Sequence, residues 1–212
     1  MKDFNDSANF RQAESQMAAI LRQSPIVPLI AINEIDRFED LILASIAASP
    51  EGKIPAIEVL LRNEQAIERG LGKLAELKKQ FGDRIHILAG SIINPEDVER
   101  VAAAGLDGLV SGGYSKRVAD AALRKGMPYL AGFMTLDEVK GANDKGLKLI
   151  KLFPAHSPDV KSIAAPLSRT GIEFVENTPE NAGLIVCGTA SEVLAAWEDG
   201  EKKSILVPAE SQ

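Results

Sequence analysis

A chain of 212 residues with 45% apolar and 25% charged residues can bury one sizeable core, which excludes a disordered or collagen-like polypeptide. Its 24 Lys and Arg against 30 Asp and Glu give a net charge of −6, which disfavours nucleic acid as a partner. No apolar run approaches the ~20 residues of a bilayer crossing, and one cysteine with two histidines leaves no internal disulfide, thiolate cage or multi-histidine zinc site.

Short β-rich apolar runs alternate with longer amphipathic ones along the chain. A first helix is predicted over 9–23, where Phe10, Met17, Ile20 and Leu21 form a stripe and Pro25 stops it. Strand and helix then alternate: strand 26–32, helix 34–48, strand 54–60, helix 64–80, strand 85–89 and helix 95–104. Asn94 is placed to cap the last of these, Pro95 fits its first position, and Gly105 ends it. Strand 106–110, helix 115–125, strand 128–132, helix 136–145, strand 147–153 and helix 158–169 follow, with Gly126 and Gly146 as stops. Both 172–175 and 184–187 read as strand-like, 191–198 as a helix and 204–207 as the last strand.

Counting one of the two ambiguous segments gives eight strands, and eight βα units predict a single α/β domain over 1–212, a (β/α)8 TIM barrel with an extra N-terminal helix. An open doubly wound sheet is the alternative, but no GxGxxG follows the first strand. The polar, acid-bearing stretch Met1 to Phe10 is unlike a secretory leader, so the expected location is cytoplasmic, with no membrane partner.

Chemistry in such barrels gathers at the C-terminal ends of the strands. In Ile54-Pro55-Ala56-Ile57-Glu58-Val59-Leu60-Leu61-Arg62, alternation puts Ala56, Glu58, Leu60 and Arg62 on one side, and Ile57, Val59 and Leu61 on the other. Glu58 then faces the interior, which is costly unless it is paired; a structural ion pair with Arg62 is the plain alternative to a functional role. In Leu147-Lys148-Leu149-Ile150-Lys151-Leu152-Phe153-Pro154, Lys148 can snorkel to the rim, whereas Lys151 lies inside the apolar run. Burial disfavours the cationic form of an amine, and a neutral amine condenses with ketones. An inward glutamate beside it supplies the proton shuttle that imine chemistry needs. Ala89-Gly90-Ser91 and Ser111-Gly112-Gly113 end two more strands, where glycines admit a ligand to the backbone and Ser91 offers a hydroxyl.

With these residues in place, the chain resembles the 2-keto-3-deoxy-6-phosphogluconate (KDPG) and 4-hydroxy-2-oxoglutarate (KHG) aldolases. IPAIEVLLR at 54–62 is similar to the family's P-x-x-E-V-T-L-R strand, and KLIKLFPA at 148–155 to its K-x-F-P-A Schiff-base motif. Weaker similarity spans about 26–155 and includes AGS at 89–91, SGG at 111–113 and LAG at 130–132. The resemblance implies a class I aldolase that cleaves a 2-keto-4-hydroxy acid to pyruvate and an aldehyde, without a cofactor or metal, usually as a homotrimer. It assigns Lys151 to the imine and Glu58 to proton shuttling. Arg62 and Ser91 would hold the pyruvate carboxylate, and Phe153 would pack on the substrate; Gly90 and Gly112 join the substrate-binding candidates because glycine admits a ligand to the backbone.

This chain departs from the pattern at Ser91, usually threonine, at Ser111-Gly112-Gly113, usually S-P-G, and at Ala131, usually proline. The larger departure is in the phosphate-gripping loops, which in the family carry paired glycines whose N–H groups cradle an anion. Here Val186-Cys187-Gly188-Thr189-Ala190-Ser191 is the best match for the first loop, with Thr189 as the candidate ligand, and Val207-Pro208-Ala209-Glu210-Ser211 for the second. An alternative alignment ends strand eight at Cys187-Gly188-Thr189. A non-phosphorylated substrate such as 4-hydroxy-2-oxoglutarate is therefore favoured. An aldolase-fold binder without turnover is the second reading, and another barrel enzyme, such as a phosphosugar isomerase, is the third. His86, His156, Cys187 and Trp197 read as structural or solvated residues.

Overall fold

The computed structural model describes residues 7–24, 26–153, 163, 165–167, 170–176 and 184–189. Helix α1 (Ser7–Gln23) is followed by β1 (Ile26–Ala31), α2 (Phe38–Ala48), β2 (Ala56–Leu60), α3 (Glu64–Phe81), β3 (His86–Gly90) and α4 (Pro95–Ala103). Then come β4 (Gly108–Val110), α5 (Lys116–Lys125), β5 (Tyr129–Leu130), β6 (Gly132–Phe133), α6 (Leu136–Asp144), β7 (Leu149–Leu152), β8 (Glu173–Glu176) and β9 (Leu184–Thr189).

The helix boundaries follow from side-chain chemistry. Asn94 and Asp97 form a reciprocal capping box at the start of α4, with Pro95 at the first position. Thr135 and Glu138 do the same for α6, and the Ser115 hydroxyl caps α5. Gly126 ends α5 in the left-handed conformation, at φ +64°.

The sheet runs β5-β4-β3-β2-β1-β9-β8-β7-β6. Its two outermost members, β5 and β6, are halves of one segment. On one side this segment bonds β4, through Ser111 N–H to Leu130 O, and on the other β7, through Lys151 N–H to Ala131 O. The ladder thus returns to its start, with eight strand positions once the two halves count as one. This is the α/β, mainly parallel architecture expected, and it is consistent with a (β/α)8 barrel.

One strand breaks the all-parallel pattern. Strand β9 lies between β1 and β8 and runs antiparallel to both. The expectation that only one of 172–175 and 184–187 is a strand is corrected: both are, and they are antiparallel neighbours rather than the strands of successive βα units. The physical reason is that two short β-prone runs lie too close in sequence for the dozen or more residues that a parallel crossover needs. The predicted helix 191–198 and strand 204–207 lie outside the described residues, as does most of helix 158–169, where 165–167 is a short 3-10 turn.

Two apolar cores result. Ile57, Val59, Ile87, Leu109, Ile150 and Phe174 face outward beneath the helices. Val27, Ala56, Leu88, Val110, Leu130, Leu149 and Val175 face inward and pack with Met17 and Leu21 of α1. The alternation read for strand two is therefore the observed one. Helix α1 closes the end of the ladder opposite the strand C-termini. Burying Met17 and Leu21 contributes roughly 1.5–3 kcal/mol each. Glu14 anchors the helix by accepting the N–H groups of Lys148 and Leu149, both at 2.6 Å, and Arg22 pairs with Glu173. No helix among the described residues is long and apolar enough to cross a membrane.

Candidate active site

At the C-terminal end of the parallel strands, Glu58 of β2 and Lys151 of β7 reach into the interior from separate strands. Lys151 Nζ stands 3.8 Å from Glu58 Oε1, and the residues are only 4% and 1% exposed. Burial pushes the Glu58 carboxyl above the ordinary carboxylate range, while the charges of Lys151 and Arg62 pull the other way. Its second oxygen, Oε2, is buried without a hydrogen-bond partner. An unsatisfied buried carboxyl oxygen is costly, and a proton or a ligand arriving at this mouth would relieve that cost.

Small residues make this arrangement possible. A Cβ at Gly90 would overlap Glu58 Oε1, so glycine leaves the carboxylate its space. A Cβ at Gly132 would lie 2.6 Å from the Gly112 carbonyl carbon, and one at Gly112 would lie 3.1 Å from the Phe153 ring. Phe153 covers the amine, with Lys151 Nζ 5.2 Å from the ring centroid.

Arg62 follows β2 and is exposed, and its Nε donates to Ser91 Oγ at 3.0 Å. Ser91 is the one non-glycine residue at positive φ, +63°, among those described. Holding a residue with a Cβ there stores strain, and it presents the hydroxyl to the guanidinium. Ser111 is buried and donates from Oγ to Ile92 O at 2.7 Å, which fixes the start of the Gly112-Gly113 turn.

Lys151, Glu58, Arg62, Ser91, Phe153, Gly90 and Gly112 thus gather at one mouth. Thr189 does not join them. Its register partner is Glu173, the first residue of β8, so it lies at the opposite end of the ladder. The expectation that Thr189 binds substrate is corrected by the antiparallel direction of β9. His156 and the loop 207–211 lie outside the described residues. Sequence reasoning did not foresee the left-handed Ser91 or the overlap of Gly90 with Glu58, although the Ala-Gly-Ser run was the available signal. Among the described residues no three His, Cys, Asp or Glu side chains are placed to hold a metal ion.

An amine and a carboxyl that share a buried interior, beside a guanidinium–hydroxyl pair, can bind a keto acid, condense with its carbonyl and move protons. The comparisons with known proteins agree. A family model described as KDPG and KHG aldolase matches residues 17–178. The KHG/KDPG aldolase of Escherichia coli strain K12 is 28% identical over 155 residues, which cover 71% of this chain and 68% of that protein. The KDPG aldolase of Legionella pneumophila, solved with pyruvate captured at low pH as a covalent carbinolamine intermediate, is 25% identical with a TM-score of 0.59, covering 74% of this chain and 73% of that one. The KDPG aldolase of Zymomonas mobilis ATCC 29191 shares the fold, with a TM-score of 0.63 at 23% identity, covering 76% and 75%.

Proposed function

The chain belongs to the KDPG and KHG aldolase family, and on that premise we propose that it is a class I aldolase that cleaves a 2-keto-4-hydroxy acid to pyruvate and an aldehyde. The observation that carries this reading is the buried Lys151–Glu58 pair, 3.8 Å apart, with one carboxyl oxygen unpartnered.

In this reading Arg62 and Ser91 bind the substrate carboxylate, and Phe153 packs on the carbon skeleton. Lys151 Nζ attacks the C2 carbonyl carbon, and the carbinolamine loses water to give the imine. Glu58 takes the proton of the C4 hydroxyl as the C3–C4 bond breaks. The bonding pair passes into the imine, which becomes an enamine, and the aldehyde leaves. The enamine takes a proton at C3, and water then hydrolyses the pyruvate imine and frees the amine. Glu58 is suited to receive and return protons because burial raises its proton affinity towards the working range of a general acid–base.

A non-phosphorylated substrate such as 4-hydroxy-2-oxoglutarate is favoured over the 6-phospho sugar acid. Support comes from the sequence, where neither 186–191 nor 207–211 carries paired glycines, and Pro208 and Glu210 remove a donor and add a negative charge. Catalytic efficiency higher by orders of magnitude on the 6-phospho compound would overturn this preference. The reading extends to a homotrimer, which rests on the family resemblance, and to a cytoplasmic location, which rests on the single cysteine and the composition. A single-chain mass in sedimentation equilibrium would overturn the trimer.

Borohydride trapping with pyruvate, followed by peptide mass spectrometry, tests the core of the proposal. An adduct on Lys151, absent from Lys151→Ala, is expected. No adduct under conditions that label another class I aldolase would leave only a keto-acid binder with the aldolase fold.

A further inference from the structure

Ser91 keeps a backbone conformation that a residue with a Cβ rarely adopts, φ +63°, and such a conformation persists only where its surroundings impose it. Hydrogen bonds grip the chain on both sides of it. Before it, Gly90 O accepts the N–H of Leu61, just past β2, at 3.0 Å. After it, Ile92 N–H donates to Val110 O at 3.1 Å, and Ile92 O accepts the Ser111 hydroxyl at 2.7 Å. The first two bonds join backbone groups and are indifferent to side-chain identity. The third belongs to the Ser111 side chain.

Ser111 does not itself face the mouth. Leu109 packs in the outer core and Val110 in the inner one, so alternation turns Ser111 outward again, beneath the helices. It is buried, and the buried Tyr129 sets its phenol against the same hydroxyl, with Gly113 O 3.5 Å from the phenol oxygen. Ser111 is thus placed to act on the mouth through Ile92 and Ser91.

The direction of Ser91 decides what the mouth can hold. Its Oγ accepts from Arg62 Nε at 3.0 Å. That leaves the hydroxyl proton of Ser91 and the two terminal nitrogens of the guanidinium to meet a carboxylate. A Ser91 that relaxed out of the left-handed region would swing its hydroxyl away from Arg62.

We infer that Ser111 is a positioning residue for keto-acid binding: its hydroxyl holds the peptide after Ser91, so that Ser91 and Arg62 stay aligned as one carboxylate clamp. The inference rests on the aldolase reading and adds to it a residue that lies outside the mouth. Ser111 touches neither the substrate nor Lys151, so its effect falls on the affinity for the keto acid and not on the amine that reacts.

The probe is pyruvate, trapped on Lys151 by borohydride at a series of concentrations and read by peptide mass spectrometry. Two quantities are read: the half-saturating pyruvate concentration and the adduct yield at saturation. In Ser111→Ala the first should rise about tenfold, the worth of one hydrogen bond, and the second should stay within twofold of the parent. General damage to the fold would lower the yield instead. In a Ser91→Gly background no hydroxyl is left to aim, so adding Ser111→Ala should shift half-saturation by less than twofold. If Ser111→Ala does not fold, Ser111→Cys carries the test. It keeps the shape with a weaker donor and should raise half-saturation at least threefold.

The inference is overturned if the folded variant keeps the parental half-saturation or loses yield alone. It is equally overturned if Ser111→Ala shifts half-saturation as much in Ser91→Gly as in the parent. Failure of pyruvate trapping in the parent would instead remove the aldolase reading and the clamp with it, so the two failures are distinguishable.

Discussion

Gly90 and Glu58 compete for one volume: a methyl group on Gly90 would overlap Glu58 Oε1 and lie 2.8 Å from both Cγ and Cδ. The carboxyl can face Lys151 only because the neighbouring strand offers bare backbone at that height. Gly90→Ala should therefore displace the carboxyl while leaving the ladder intact. A misplacement of about 1 Å in a reacting group costs on the order of 10²-fold in rate. We expect kcat to fall by that order with an unchanged far-ultraviolet circular dichroism spectrum. Activity within threefold of the parent would show that Glu58 need not occupy its present position.

Ser91 sits at φ +63° and accepts a hydrogen bond from Arg62 Nε. The left-handed backbone costs about 1–2 kcal/mol for a residue with a Cβ, and glycine restores about 0.5–1 kcal/mol of unfolded-chain entropy to be lost on folding. Ser91→Gly should thus gain up to about 1 kcal/mol in stability. It should also lose the hydroxyl that steadies the guanidinium, raising KM by roughly tenfold, the worth of one hydrogen bond, with a smaller effect on kcat. Denaturant titration and steady-state kinetics on the same sample test both halves. A variant that is less stable than the parent would contradict the strain argument.

The raised proton affinity of Glu58 fixes the sign of a pH effect. Burial favours the neutral acid, so the carboxylate form is lost at a higher pH than for an exposed glutamate as the solution is acidified. If the carboxylate takes the C4 hydroxyl proton, kcat/KM should fall on the acid side through a limb displaced upward from about 4.3, the ordinary glutamate value. Glu58→Gln should remove that limb and lower turnover by about 10²–10⁴-fold, while borohydride trapping at Lys151 persists at least in part. Parental activity in Glu58→Gln would end the shuttle role.

Much of this site was legible because strand alternation is local. Reading Ala56 and Glu58 inward and Ile57 and Val59 outward needs only a period of two, and the inner and outer cores divide along that line. Lys151 was legible for the same reason, three residues before the apolar run ends at Pro154. Thr189 was not, because its place depends on strand direction. The same residues run parallel or antiparallel with equal local propensity, and pairing with both β1 and β8 decides the matter. The stacking of Tyr114 on Phe133 is likewise not legible, because the two lie 19 residues apart and nothing local says that their rings meet.

At the opposite end of the ladder, Asp107 joins three elements. Its carboxylate accepts the Ile87 N–H at 2.7 Å and pairs with Lys78 Nζ at 2.9 Å, while His86 Nδ1 stands 3.7 Å away. Lys78 also donates to Gly82 O and Ile85 O, so the cluster ties the end of α3 to the start of β3. Burial alone would raise the Asp107 carboxyl, but His86, the Ile87 N–H and Lys78 together outweigh it and hold the group below the ordinary range. A depressed carboxyl contributes stability that is present above its unfolded-state pKa and is lost as pH falls through the folded-state value. Asp107→Asn keeps the shape but loses the charge, so it should cost about 1–3 kcal/mol at neutral pH. The parent and variant curves should then converge as the solution is acidified below the ordinary aspartate range. A difference that stays constant down to strongly acid pH would mean that the side chain acts by packing alone and not by its charge.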